Sequence, residues 1–247
     1  MIKSISPAAE VIDLTHGIAR HDVLQGALVL ANALPYTPAG VHLAVVDPGV
    51  GSDRRPVALR SGDGRLFVGP DNGLLVVAAD RVGGVAEAVE LAEPAYRLER
   101  VAHTFHGRDI FAPAAAHLAA GVELGQLGPG VEPESLARLE LPEPEVGTRR
   151  IRATVLSVDR FGNVQLNLST ADLERVGIEP GTTVELGVGV ERYYAVAART
   201  FAEVRRGDIV LYEDASWTIA LAINHGNAAE MFGVVSGQEI RLARADP

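Results

Sequence analysis

The hydrophobic pattern of this chain changes once along its length. Between Gly128 and Arg150 lie Pro129, Pro133, Pro142 and Pro144 among many glutamates, a composition that reads as a linker. Before it, short apolar runs alternate with segments of helical period; after it, almost every patterned segment has period two. A chain divided in this way predicts two domains. Residues 1–140 are expected to form an α/β domain with a central sheet flanked by helices, and residues 148–247 a smaller, mostly antiparallel β domain. The 247 residues, 47% of them apolar, give enough material for both cores.

In the first part, Val11-Ile12-Asp13-Leu14 is expected to be a buried strand. A helix follows, with Asp22 as N-cap and Gln25 three residues on, as in a capping box. Val23, Ala27, Leu30, Ala31 and Leu34 recur at helical spacing, and Pro35 closes the run. His42 to Val46 predicts a strand buried on both faces, leading into the loop Asp47-Pro48-Gly49-Val50-Gly51. Pro56–Leu59 and Leu66–Val68 predict two strands joined by the turn Ser61-Gly62-Asp63-Gly64. Helices are expected over Leu74–Asp80 and from about Ile110 to Ala120, the second with Pro113 in its first turn and Gly121 at its end.

In the second part, Ile151, Ala153 and Val155 alternate with polar residues, as do Val164, Leu166 and Leu168, across the turn Asp159-Arg160-Phe161-Gly162. Further strands are expected at Val184–Leu186, Arg192–Val196, Asp208–Leu211 and Thr218–Ile223, together suiting a small antiparallel barrel or sandwich.

Several function classes drop out on composition. With no cysteine there is no disulfide, thiolate metal site or cysteine nucleophile. A formal charge of −10 disfavours nucleic-acid and anionic-membrane partners. No apolar stretch approaches the roughly 20 residues that span a bilayer, and Met1–Val11 has no signal-peptide pattern. A cytoplasmic protein is the expectation. The seven histidines form no metal-ligand pair at helical spacing, so no metal is expected. The string Leu43-Ala44-Val45-Val46-Asp47-Pro48-Gly49-Val50-Gly51 has the look of the strand and Gly-x-Gly loop of a Rossmann-type methyltransferase, but Ser52-Asp53-Arg54-Arg55-Pro56 then leads into another strand instead of a helix.

Three side chains stand out as candidates for chemistry. Asp47 follows a buried strand, at the end where α/β sheets bind ligands. Arg54 follows it by seven residues, and His106 sits just before the second helix, near a helix N-terminus that favours negative charge. Taken singly, each has an ordinary structural explanation: a capping loop Asp, a solvated Arg, a satisfied His.

Taken together, six ordered strings are specific. They are Ile12-Asp13-Leu14-Thr15-His16, Val45-Val46-Asp47-Pro48-Gly49-Val50-Gly51, Gly69-Pro70-Asp71-Asn72-Gly73-Leu74-Leu75, Phe105-His106-Gly107-Arg108-Asp109-Ile110-Phe111, Asp159-Arg160-Phe161-Gly162-Asn163 and Asn224-His225-Gly226-Asn227-Ala228-Ala229-Glu230. In that order, over essentially the full length, the chain resembles the S-adenosylmethionine (SAM) hydroxide adenosyltransferases, the adenosine-forming SAM hydrolases related to SAM-dependent fluorinases and chlorinases. The resemblance implies a catalytic set of Asp47, Arg54 and His106 that turns SAM and water into adenosine and methionine, with no further cofactor. It also implies that Asp159 receives the methionine ammonium, Asn163 the adenine edge and Ser216 the methionine carboxylate, while Phe161 and Phe201 sandwich the adenine; ordinary core packing is the alternative for the two rings. A homotrimer with sites between subunits is implied as well.

The residue types suit such a reaction. Methionine leaves as a neutral thioether, so the difficulty lies with the nucleophile, since bulk water has a pKa near 15.7. Arg54 supplies a fixed positive charge, His106 can accept or relay a proton, and Asp47 can orient either or hold the water. The related halogenases carry Tyr and Thr where this chain has Asp47 and Val50, and a carboxylate beside a halide would repel it, so water is the expected nucleophile. The competing readings are a SAM- or adenosine-binding sensor without turnover, and a halogenase. The family's opening strand and helix, with an Asp that partners the ribose hydroxyls, have no counterpart here, where Met1-Ile2-Lys3 falls at the end of that helix; a start site assigned too late is the expectation.

Overall fold

In the computed structural model, which describes residues 1–245, the chain divides into two units, one over Met1–Glu140 and one beginning at Leu141. The first is built on a four-stranded sheet of β1 (Val41–Leu43), β2 (Pro56–Ser61), β3 (Leu66–Pro70) and β4 (Val85–Glu90), in the order β1-β3-β2-β4. Only β1 and β3 are parallel; β2 runs antiparallel to both β3 and β4.

Strand alternation puts Val57, Leu59 and Phe67 on one face, against α2 (Val23–Ala33) and α3 (Leu74–Asp80). Ala58, Val68 and Val89 lie on the other, against Phe111 and α4 (Ala112–Ala119). A four-residue α1 (Ile2–Ile5) completes the helices of this unit. Helices therefore cover the sheet sparsely, and the sheet is mixed where a mostly parallel one would match the helix-flanked expectation.

Local signals explain most element ends. Asp22 caps α2 by accepting from the Gln25 N–H at 2.9 Å. The Gln25 side-chain Oε1 accepts from the Ala19 N–H. Pro113 sits in the first turn of α4, and Gly121 follows its end at φ +95°.

Two expectations fail. Val11, Ile12 and Leu14 are 48%, 59% and 45% exposed and belong to no strand. A short apolar run states a preference for burial, but a strand also needs a ladder partner, and none of the strands pairs with this segment. The His42–Val46 strand is shorter than expected, and only His42 is buried, because β1 is an edge strand.

The second unit closes on itself. β6 (Arg150–Val158), β7 (Val164–Leu166), β8 (Thr183–Val188), β9 (Glu191–Ala197), β10 (Ile209–Glu213), β11 (Ile219–Ile223) and β12 (Glu239–Arg244) form a barrel, because β12 pairs with both β8 and β6. The short β5 (Glu145–Val146) adds to β6 from outside the ring. All neighbours are antiparallel except β9 and β10. Ile151, Ala153, Val155, Val164, Leu166, Val184, Leu186, Leu221, Ile240 and Leu242 fill the interior. Two short helices, α5 (Thr170–Arg175) and α6 (Ala228–Phe232), join strands.

One close approach shapes the first unit. A Cβ on Gly69 of β3 would run into the backbone carbonyl of Ala44, which follows β1. Gly69→Ala is therefore expected to cost about 1–3 kcal/mol by forcing the two segments apart. Chemical denaturation checks this, and an unchanged midpoint would show that the sheet spreads freely there.

Candidate active site

The chain leaves the sheet after β1 and returns to it at β2, and the excursion between them carries Asp47 at one end and Arg54 at the other. The Ala44 N–H still donates to Val68 of β3, so the strand direction persists almost to Asp47. The loop then tightens: the Ser52 N–H donates to the Gly49 carbonyl at 3.1 Å, and Gly51 adopts φ +81° against the His103 carbonyl, where a Cβ would clash.

This brings Arg54 back onto Asp47. Arg54 Nε donates to Asp47 Oδ1 at 3.1 Å and Nη2 to Oδ2 at 2.6 Å, a bidentate pair whose side chains are only 7% and 8% exposed. The Arg54 guanidinium also lies 5.3 Å from the centre of the Phe111 ring. His106 enters from a different part of the chain, immediately before a single π-helical turn at Gly107–Phe111 that runs into α4. Its Nδ1 is 3.0 Å from Arg54 Nη2.

That contact fixes the histidine's state. A guanidinium has no acceptor, so Nδ1 must be the bare nitrogen, and the neutral ring carries its proton on Nε2. Burial and the Arg54 charge push the His106 pKa down, against the opposing pull of Asp47 and Asp109, with His103 adding slightly to the depression. The three side chains expected from sequence are thus brought together, with Arg54 in contact with each of the other two. Arg54 Nη1 is buried and has no protein partner among the described residues, leaving its donors for another group.

Beneath the π-helical turn, Asp109 is fully buried. It accepts from Arg108 and from the Ala102 N–H, and the Arg108 hydrogen bond chiefly holds its carboxyl below the usual range. Asp109 thereby ties the 98–106 segment to the turn that presents His106. Its place in the Phe105–Phe111 string was its only sequence signal.

The second group of expected residues gathers in the second unit. Asp159 Oδ1 accepts from the N–H groups of Phe161 and Asn163, and Oδ2 accepts from Asn163 Nδ2 at 2.7 Å. Asp159 and Asn163 are therefore brought together as partners of each other within one turn. Phe161 is 62% exposed beneath the Arg160 guanidinium, and Phe201 is 36% exposed with its ring on Tyr212. Ser216 lies in a turn organised by Asp214, whose Oδ1 accepts from the N–H groups of Ser216 and Thr218. Trp217 in that turn is 71% exposed at φ +60°.

Two asparagines join these loops. Asn224 donates to the carbonyls of Phe201 and Val204, and a Cβ on Gly162 would meet the Asn227 side chain. Burial of Tyr212 first, then the charges of Asp214 and Asp159, push its pKa up to about 12. Sequence reasoning missed Tyr212 and Asp214, although the Asp-x-Ser spacing of the turn was a legible signal. Among the described residues no group of three or more His, Asp or Glu side chains is arranged to hold a metal ion.

Both units match models of one protein family. The model of the SAM hydroxide adenosyltransferase N-terminal domain matches residues 1–128, and that of the C-terminal domain residues 153–241. The chain belongs to the SAM hydroxide adenosyltransferase family. It is 47% identical to the (R)-S-adenosyl-L-methionine hydrolase of Salinispora tropica, over 98% of this chain and 89% of the relative. A fluorinase of Nocardia brasiliensis is 28% identical over 98% of this chain and 89% of that protein. The crystal structure of an uncharacterized conserved protein from Thermotoga maritima superposes with a TM-score of 0.89, at 35% identity, covering 98% of this chain and 92% of that one.

The site geometry makes a prediction for this family member that needs no substrate. In an NMR titration His106 should protonate below the ordinary 6.5 of histidine, and Arg54→Gln should move the midpoint upward by removing a positive neighbour. A midpoint at the ordinary value in both proteins would show that Arg54 does not hold the ring.

Proposed function

We propose that this chain hydrolyses (R)-S-adenosyl-L-methionine to adenosine and L-methionine by attack of water or hydroxide at the ribose C5′. The observation that carries the reading is the buried constellation of Asp47, Arg54 and His106, with Arg54 donating to both partners. The names of the relatives at 41–47% identity support the substrate and add its configuration at sulfur, which the motifs leave open.

The water oxygen forms a bond to C5′ as the C5′–S bond breaks, and the electron pair leaves with sulfur as a neutral thioether. Lowering the pKa of water from 15.7 to neutrality would demand about 12 kcal/mol, and the site need supply only part of it. Arg54 Nη1 and His106 Nε2–H are N–H donors for a developing hydroxide. His106 Nδ1 is occupied by Arg54, so Asp47 is the member with acceptor capacity left. Asp47 therefore holds the water and receives its proton as the new bond forms. SAM is the substrate, and the reaction as proposed uses no cofactor.

In the same reading, Asp159, Asn163 and Ser216 bind the polar ends of the substrate, while Phe161 and Phe201 hold the adenine. The exposure of Asp159, Phe161 and Phe201 supports a binding role. A homotrimer whose protomers share sites is part of the proposal, supported by the family resemblance and by the exposed Trp217. We place the reaction in the cytoplasm, which suits a chain with no cysteine and no helix long and apolar enough to cross a membrane among its described residues.

Chromatography of each SAM epimer with the purified protein tests this directly. Equal amounts of adenosine and methionine are expected from the (R) form, with label from H2(18)O in the adenosine 5′-hydroxyl. Asp47→Ala should lower kcat on the order of 100-fold or more. Intact SAM after long incubation would leave only a sensor, and dependence on chloride or fluoride would make the protein a halogenase. The pH profile has a definite sign. The neutral His106 is the form that accepts from Arg54, so kcat/KM should hold as pH falls through 6.5 and drop only below it, at the depressed midpoint. A drop centred above 6.5 would contradict the assigned role.

A further inference from the structure

The string Gly69-Pro70-Asp71-Asn72-Gly73 contributes nothing to the chemistry above, yet its two polar residues touch both ends of the loop that does. β3 lies between β1 and β2, so the chain leaving β3 passes beside the segment where the loop begins and the segment where it ends. Asn72 Nδ2 donates to the Val46 carbonyl at 2.8 Å, one residue before Asp47. The Asp71 N–H donates to the Arg55 carbonyl at 3.0 Å, one residue after Arg54. The Asp71 side chain, 6% exposed, also takes the Arg55 side chain: Nε donates to Oδ2 at 2.8 Å, with Nη2 at 2.6 Å from the same oxygen. Its Oδ1 accepts from the Ala137 N–H, while Arg55 reaches the Ser135 hydroxyl and carbonyl.

We propose that Asp71 and Asn72 are positioning residues that set the separation of Asp47 from Arg54 by clamping the two ends of their loop. Asn72 fixes the backbone leading into the carboxylate, and Asp71 fixes the backbone leaving the guanidinium. Two neighbouring residues do this from one rigid strand end, so the two catalytic candidates share a single reference point. The bidentate Arg54–Asp47 pair tolerates little slack, and a misplacement of about 1 Å at a reacting group can cost on the order of 100-fold in rate.

The rate readout rests on the hydrolase reading; the spectroscopic one does not. Asn72→Asp keeps an oxygen to accept from the Leu74 N–H, as Asn72 Oδ1 does at 3.3 Å, but loses the donor to Val46. Asn72→Ala loses both without adding charge. Both variants should show kcat lower by about 10–100-fold with KM changed little, and in Asn72→Ala the His106 titration midpoint should move up toward that of a free histidine as Arg54 loosens. A wild-type kcat in Asn72→Asp alongside a slow Asn72→Ala would reduce Asn72 to a helix cap and overturn the proposal, as would a loss carried by KM alone. Should the Asn72 variants not fold, Arg55→Lys decides by the same readouts, since it keeps the charge and loses the fork; wild-type behaviour there overturns the clamp. Should the wild type release no adenosine, the hydrolase reading falls, and the His106 midpoint alone decides the clamp.

Discussion

A guanidinium almost wholly removed from solvent sets the terms for the first unit. Burying such a charge costs several kcal/mol unless a partner with good geometry and full hydrogen bonding offsets it. Arg54 meets most of that condition through both oxygens of Asp47 and the face of Phe111, and leaves only Nη1 without a protein partner among the described residues. His106 then has to be neutral, because its Nδ1 faces a donor that cannot accept. The state of all three groups therefore follows from one buried charge. The pair contributes little to stability by itself; a buried salt bridge often does no better than apolar packing. Its retention at a strand end is better explained by what it does to a neighbouring oxygen.

Holding that geometry is a problem of backbone placement, and the two units solve such problems differently. In the first, strand ends act as fixed posts: β3 is flanked by the departure from β1 and the return into β2, so a loop spanning them is anchored on both sides. In the second, the barrel has no free edge within its ring, and the loops that carry Asp159, Phe201 and Ser216 are held by side chains. Asn224 reaches the Phe201 segment, Asn227 packs on Gly162, and Asp214 organises the turn at Ser216. Amide side chains suit that task because each supplies both a donor and an acceptor.

Much of this was legible beforehand. The helix of Leu74–Asp80, the hairpin of β2 and β3 and the alternating strands of the barrel carry strong periodic signals, and the structure has them where those signals fall. Motif order pointed to Asp47, Arg54 and His106, which the fold brings into contact. The misses have separate causes. Val11–Leu14 has the composition of a strand but no ladder partner, which no local pattern reveals. β12 is a further strand, with Ile240 and Leu242 alternating with charged residues, and only its two pairings decide for a barrel over a sandwich. β4 was hidden because its outward residues include Ala86 beside Glu87. The contacts of Asp71 and Asn72 are with residues distant in sequence, so no spacing rule announces them.

The arrangement also bears on why a carboxylate belongs at position 47. A halide can only accept hydrogen bonds, whereas water and hydroxide both donate and accept. Arg54 Nη1, which has no protein partner among the described residues, offers donors that either nucleophile would use. Asp47 offers acceptor lone pairs that only an O–H can use, and to a halide its negative charge is simply repulsive. In the proposed reaction the carboxylate thus has two effects from one position: it neutralises the buried Arg54, and it makes the site selective for a nucleophile that carries a proton. Replacing it by a neutral donor would leave Arg54 uncompensated, with a stronger call for an anion. A change of nucleophile within this architecture is therefore a change in where the compensating negative charge resides.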